Sequence, residues 1–222
     1  MIRLQNLSKT FYIKGRRKVV ADDLNAVFPT GVSVGLLGRN GAGKSSLLRM
    51  IAGTSRPTRG RIVSDGTISW PVGFAGSFHA DLTGAQNTRF VARVYGVDSD
   101  YLVDYVEKFA ELGMHFHLTF RTYSSGMRSR LAFGVSMGVR FDTYLVDEVT
   151  SVGDANFKAK SEAVFMERMQ DAGAIVVTHS MAMIKRMATM GAVLEAGKLT
   201  LYDDIDDAIA AHEANMARPV QA

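Results

Sequence analysis

The chemistry in this chain is concentrated in one run, Gly38-Arg39-Asn40-Gly41-Ala42-Gly43-Lys44-Ser45. It fits G-x-x-x-x-G-K-[ST], the pattern of a loop that wraps a polyphosphate. Glycines permit the positive φ angles and the close backbone approach such a loop needs. A helix that follows aims its positive N-terminal end at the phosphates. Lys44 supplies a point charge for the β- and γ-phosphates, and Ser45 offers a hydroxyl to Mg²⁺. The order is not the dinucleotide fingerprint G-x-G-x-x-G, which argues against a Rossmann site.

A second run, Phe141-Asp142-Thr143-Tyr144-Leu145-Val146-Asp147-Glu148, is apolar and ends in two carboxylates. Beside a phosphate loop, a strand end of this kind delivers an aspartate to Mg²⁺. Asp147 suits that task. Glu148 is placed to polarise a water for in-line attack on the γ-phosphate. The bland reading, in which Asp-Glu only closes a surface strand, loses ground once the upstream loop is counted.

The elements that position these residues follow from periodicity. Ile2–Leu7 and Asn25–Phe28 read as strands, and Gly31 leads into the buried-type strand 32–37. A helix is expected from Lys44 to Ala52, then short strands at 61–63 and 67–70. From Thr83 to Val139 helical spacing dominates, with candidates at 87–95, 100–112 and 124–139. The core resumes with strand 143–146, helix 155–171, strand 174–177, helix 181–190 and a hairpin, 192–195 with 198–201, turning at Ala196-Gly197. A last helix starts near Asp203. The expected domain plan is an α/β core at 1–82 and 141–205, a helical subdomain at 83–140, and a C-terminal helix and tail at 206–222.

Composition sets limits. The 222 residues are 47% apolar and 22% charged, an ordinary globular balance. There is no cysteine, which excludes disulfides, thiolate zinc sites and a catalytic thiol. The longest apolar run, Leu131–Val139, falls well short of the ~20 residues a spanning helix needs. The N-terminus turns polar at once, unlike a secretory signal. The net charge is +4, with one concentration at Lys14-Gly15-Arg16-Arg17-Lys18, read as a solvated basic turn. A nucleic-acid partner would want a longer basic stripe with interleaved aromatics, and none is present. His115-Phe116-His117 has no third ligand at metal spacing.

Together these runs resemble the nucleotide-binding domain of ABC transporters, over about residues 2–205. Tyr123-Ser124-Ser125-Gly126-Met127 stands where that family carries its LSGGQ signature, with Tyr for Leu, Ser for the first Gly and Met for Gln. Ser151-Val152-Gly153-Asp154 looks like the D-loop, and His179 like the switch histidine. Phe11, or Tyr12 beside it, matches the adenine-stacking aromatic. The departure is the Q-loop: residues 70–79 contain no Gln, and Gln86 comes too late.

The resemblance implies an α/β fold. Its P-loop NTPase core would hold a mixed sheet with flanking helices and an antiparallel β subdomain, and a helical subdomain would be inserted in it. It implies ATP bound by Phe11, Gly38 to Ser46 and Mg²⁺, with Ser45 and Asp147 as metal ligands. Lys44, Glu148 and His179 would be catalytic. Ser124, Ser125 and Gly126 would meet the ATP of a second copy in a homodimer, beside Asp154. Separate transmembrane permease subunits would provide the membrane contact, at the cytoplasmic face of a bacterial inner membrane. The stretches 69–74, 123–134 and 147–154 are most similar to ATPases of capsular polysaccharide exporters, with O-antigen and teichoic-acid exporters as close relatives. The chain is expected to lack the C-terminal carbohydrate-binding domain that some of those carry. A regulatory ATP clamp and a P-loop kinase are the other classes. The first usually has coiled-coil insertions or two cassettes, and the second would not need the 123–127 segment.

Overall fold

The computed structural model describes residues 1–13, 15–74, 76, 78–147 and 155–217. In chain order, β1 (Ile2–Ile13) and β2 (Arg16–Phe28) lead to β3 (Ser33–Leu37) and α1 (Lys44–Ile51). Strands β4 (Arg59–Ser64) and β5 (Ile68–Pro71) precede α2 (Gly84–Tyr95), α3 (Ser99–Ala110) and α4 (Ser125–Gly138). Then come β6 (Thr143–Asp147), α5 (Ala155–Asp171), β7 (Gly173–Val177) and α6 (Met181–Met187). The chain closes through β8 (Met190–Glu195), β9 (Lys198–Tyr202) and α7 (Ile205–Ala217). Among the described residues, no helix is long and apolar enough to cross a membrane.

Two compact units result. The first comprises Met1–Pro71, Phe141–Glu148 and Met169–Ala222. It holds a six-stranded sheet ordered β5-β6-β7-β3-β8-β9 and a three-stranded antiparallel sheet ordered β2-β1-β4. All pairs of the larger sheet are parallel except β8–β9. Every residue of β7 is buried, as are Val34 to Leu37 and Thr143 to Val146, which is why these strands read as unbroken apolar runs. Leu47, Leu48, Met50 and Ile51 pack the inner side of α1 into a core shared with Leu36, Leu145 and Ile175. Asp22 N–H donates to Gly197 O at 2.8 Å, tying the antiparallel sheet to the β8–β9 turn. In that turn both Ala196 and Gly197 have positive φ, which suits a tight two-residue hairpin.

The second unit comprises Val72–Arg140 and Val149–Arg168. Phe109 is its aromatic centre, stacked on Tyr105 and Phe133 and edge-on to Phe157. Asn87 of α2 ties down the turn at 79–83. The buried Asn87 amide accepts from His79 N–H at 2.8 Å and donates to the carbonyls of His79, Leu82 and Thr83.

Three expectations need correction. The helix read as 181–190 ends at Met187, because Ala188 is extended and Met190 pairs with Val34 in β8. The helix read as 87–95 starts at Gly84, because Thr83 and Gln86 form a reciprocal capping box. In that box the Gln86 amide oxygen accepts from Thr83 N–H at 2.9 Å. The basic run is exposed from Gly15 to Lys18, as a solvated segment would be, but it is not a turn throughout. Gly15 turns, but Arg16, Arg17 and Lys18 are strand residues paired with Ile13, Tyr12 and Phe11.

Candidate functional site

Strand β3 ends at Leu37 and the phosphate loop follows at once. Gly38 has φ +151°, and a Cβ there would lie 2.3 Å from Leu194 O. Gly43 has φ +112°, and its added Cβ would come 2.8 Å from Val20 Cβ. Both positions therefore admit only glycine, by conformation and by space. Gly43 is also the N-cap of α1 and makes no side-chain cap, so Lys44, Ser45 and Ser46 form the first helical turn directly against the loop. Lys44 Nζ donates to Gly38 O at 2.6 Å and to Arg39 O at 3.1 Å, folding its ammonium back across the loop.

A cavity of about 560 Å³ opens over this turn. The loop contributes Asn40, Gly41, Gly43, Lys44, Ser45 and Ser46. The β6 and β7 ends contribute Asp147, Val177 and His179. Asp147 and Val177 are register partners, so the carboxylate lies at the same level as the last residue of β7. His179 follows two residues on, just ahead of the α6 N-cap Ser180, whose side chain accepts from Met183 N–H. Loop amides, an ammonium, hydroxyls and a carboxylate thus converge on one space. That set can hold a polyphosphate with a hard cation: the carboxylate and hydroxyl oxygens suit Mg²⁺, and the glycine cradle would be filled by any Cβ.

Of the two aromatic candidates, Phe11 lines the cavity, whereas Tyr12 is 76% exposed and does not. Lys9 Nζ lies 5.0 Å from the Phe11 ring centroid. Gly38, Arg39 and Ala42 are absent from the described lining. The Arg39 side chain does not line the cavity. Its guanidinium turns away, to Glu195 at 3.4 Å and to the Asn215 and Met216 carbonyls at 2.5 and 3.3 Å. Lys18 and Val20 also line the cavity, and no motif announced them. The signal is the β1–β2 register, which sets Lys18 opposite Phe11. Glu148 and Asp154 lie outside the described residues.

Ser124, Ser125 and Gly126 belong to the second unit. Ser124 is the N-cap of α4 and its hydroxyl accepts from Met127 N–H at 3.3 Å. A Cβ on Gly126 would meet nothing within 4 Å. Tyr123, the departure from Leu, is buried and donates its hydroxyl to His115 O at 2.7 Å. Burial pushes its phenol up to about 12. Arg128 braces the turn, donating to Tyr123 O at 3.1 Å and Arg121 O at 3.2 Å.

A phosphate loop and an acidic strand end on a largely parallel sheet, with an added antiparallel sheet and a helical unit, define an ATP-binding cassette ATPase. Residues 21–151 match the ABC transporter family, and the chain belongs to it. It is 48% identical over 204 residues to the polysialic acid transport ATP-binding protein KpsT of Escherichia coli, covering 91% of each chain. It is 41% identical to the capsule polysaccharide export ATP-binding protein CtrD of Neisseria meningitidis, over 94% of this chain and 96% of that one. The fold matches a dimeric ATP-binding cassette solved in a post-hydrolysis state with ADP and Pi. The TM-score is 0.75 at 20% identity, covering 90% of this chain and 96% of that one.

Proposed function

We propose that this chain is the ATP-hydrolysing subunit of an exporter of capsular or related cell-surface polysaccharide, driving separate membrane subunits. The observation that carries this reading is the identity of 48% to a polysialic acid transport protein across 91% of both chains. The cavity at the phosphate loop fits the ATPase half of the role. Phe11 would stack on adenine, and the loop amides from Asn40 to Ser46 would hold the phosphates. Lys44 would exchange its carbonyl partners for phosphate oxygens. Ser45 and Asp147 would hold Mg²⁺, which when bound draws charge off the β- and γ-phosphate oxygens. Glu148 would orient the attacking water and His179 would steady the γ-phosphate side.

Two copies would pair head to tail. Each ATP would lie between the Lys44 loop of one copy and the Ser124-Ser125-Gly126 turn of the other, with Asp154 alongside. The open space around Gly126 and the capped start of α4 support a second anion cradle there. Such a chain would sit at the cytoplasmic face of a bacterial inner membrane through its permease partners.

The test is complementation. A host lacking this gene should lose surface polysaccharide and regain it with the wild-type chain but not with Lys44→Ala, and the wild type should co-purify with a membrane protein. Normal surface polysaccharide in the deletion strain would overturn the export role and favour a regulatory clamp.

A further inference from the structure

Arg39 occupies a variable position of the phosphate loop, yet it carries the loop's longest-range contacts. Its guanidinium meets the Glu195 carboxylate at the end of β8 and two carbonyls in the last turn of α7, Asn215 and Met216. The final carbonyls of a helix have no partner within the helix, so a cation donating to them also complements the helix dipole. A planar fork can meet a carboxylate and carbonyls on two elements at once, which an ammonium cannot. The backbone of the same residue faces the other way: Arg39 O accepts from Lys44 Nζ at 3.1 Å and from Ala42 N–H at 3.1 Å. One residue thus joins the C-terminal helix to the carbonyl that seats Lys44. Next to it, Gly38 passes Leu194 O of β8 so closely that a Cβ there would lie 2.3 Å from that oxygen.

We propose that Arg39 is a positioning residue, which clamps the phosphate loop to the last turn of α7 and so couples nucleotide affinity to the order of that turn. The proposal rests on the ATP-binding reading of the cavity. Helix α7 is itself held to the sheet by Ile205, Ala208 and Ile209 against Leu37 and Val193, so only its far end depends on the clamp. His212, on the same helix and only 8% exposed, is kept from adding a third cation beside Lys44 and Arg39. Burial, and then the positive field of Lys44, holds its imidazole below the usual range. Coupling of this kind is reciprocal: ATP that settles the loop must also settle the end of α7.

The full chain is tested as wild type, Arg39→Ala and Arg39→Lys. Calorimetry gives MgATP and MgADP affinity, steady-state phosphate release separates KM from kcat, and hydrogen exchange follows amides 213–217 with and without MgATP. Arg39→Ala should weaken both nucleotides roughly five- to twentyfold. It should raise KM while changing kcat by less than about twofold, because Lys44, Asp147 and Glu148 remain. ATP should slow exchange at 213–217 in the wild type and not in Arg39→Ala. Arg39→Lys, which keeps the charge but not the fork, should behave more like Ala than like wild type. Full rescue by Lys would reduce the effect to charge and overturn the clamp, as would unchanged affinity or undiminished ATP protection in Arg39→Ala. Should Arg39→Ala not fold, Glu195→Gln removes one arm of the clamp and must show a smaller shift in the same direction. A wild type that binds no ATP would overturn the functional reading instead. The clamp would then stand or fall on faster exchange at 213–217 in Arg39→Ala without nucleotide.

Discussion

Phe11 and Lys18 face each other across the β1–β2 pair, and both line the cavity over the phosphate loop. Tyr12, one residue further, points to the opposite side of the pleat and is 76% exposed. Phe11→Ala should therefore weaken ATP, ADP and AMP alike, by about tenfold for a lost aromatic–base stack. Tyr12→Ala should leave all three unchanged, as measured by calorimetry.

Gly43 tolerates no side chain, since its φ is +112° and a Cβ would press on Val20. Gly43→Ala should cost about 1–3 kcal/mol of stability and lower MgATP affinity at the same time. Paired thermal melts and titrations check both.

The Tyr123 hydroxyl fills a slot where the family signature carries an apolar Leu. Tyr123→Phe removes one of the two donors to His115 O, leaving Leu118 N–H at 2.9 Å, and should cost about 1 kcal/mol, read as a shift in denaturation midpoint. Because the folded phenol is raised from 10.0 to about 12, its contribution is whole below pH 10 and lost as pH climbs through about 12. Burial also raises the Tyr95 phenol, so ultraviolet titration should show Tyr123 among the late-ionising tyrosines, and Tyr123→Phe should remove its share of the late phase.

His212 gives the opposite slope. Its folded imidazole titrates below the usual value of about 6.5 through burial first, then through Lys44 and Arg39, with Glu195 and Glu213 opposing. The unfolded chain takes up the proton first, so this contribution is whole above pH 6.5 and fades as pH falls through the lower folded value. Melts between pH 7.5 and 5 should show the loss, and His212→Leu should flatten it.

The site's backbone was legible where chemistry demands a fixed spacing. Gly38 to Ser45 and Asp147 are named by their pattern, because a phosphate cradle and its acidic strand end tolerate few alternatives. Lys18 and Val20 were invisible, because their place depends on a hairpin register with shifts between Leu4 and Thr10. The role of the Arg39 side chain was hidden for a related reason. The motif leaves that side chain unspecified, and it answers to Asn215 and Met216, distant in sequence and adjacent only after folding. Met187 to Met190 kept the helical period, yet pairing of Met190 with Val34 took precedence, since a buried strand leaves no backbone group idle.

In the proposed mechanism this chain hydrolyses ATP with Glu148 as the group that orients water. Phosphate release from MgATP by purified wild type and Glu148→Gln tests it most directly. The account predicts unchanged ATP affinity, turnover lowered by at least about a hundredfold, and a dimer that accumulates with ATP bound. Near-normal hydrolysis by Glu148→Gln would contradict it.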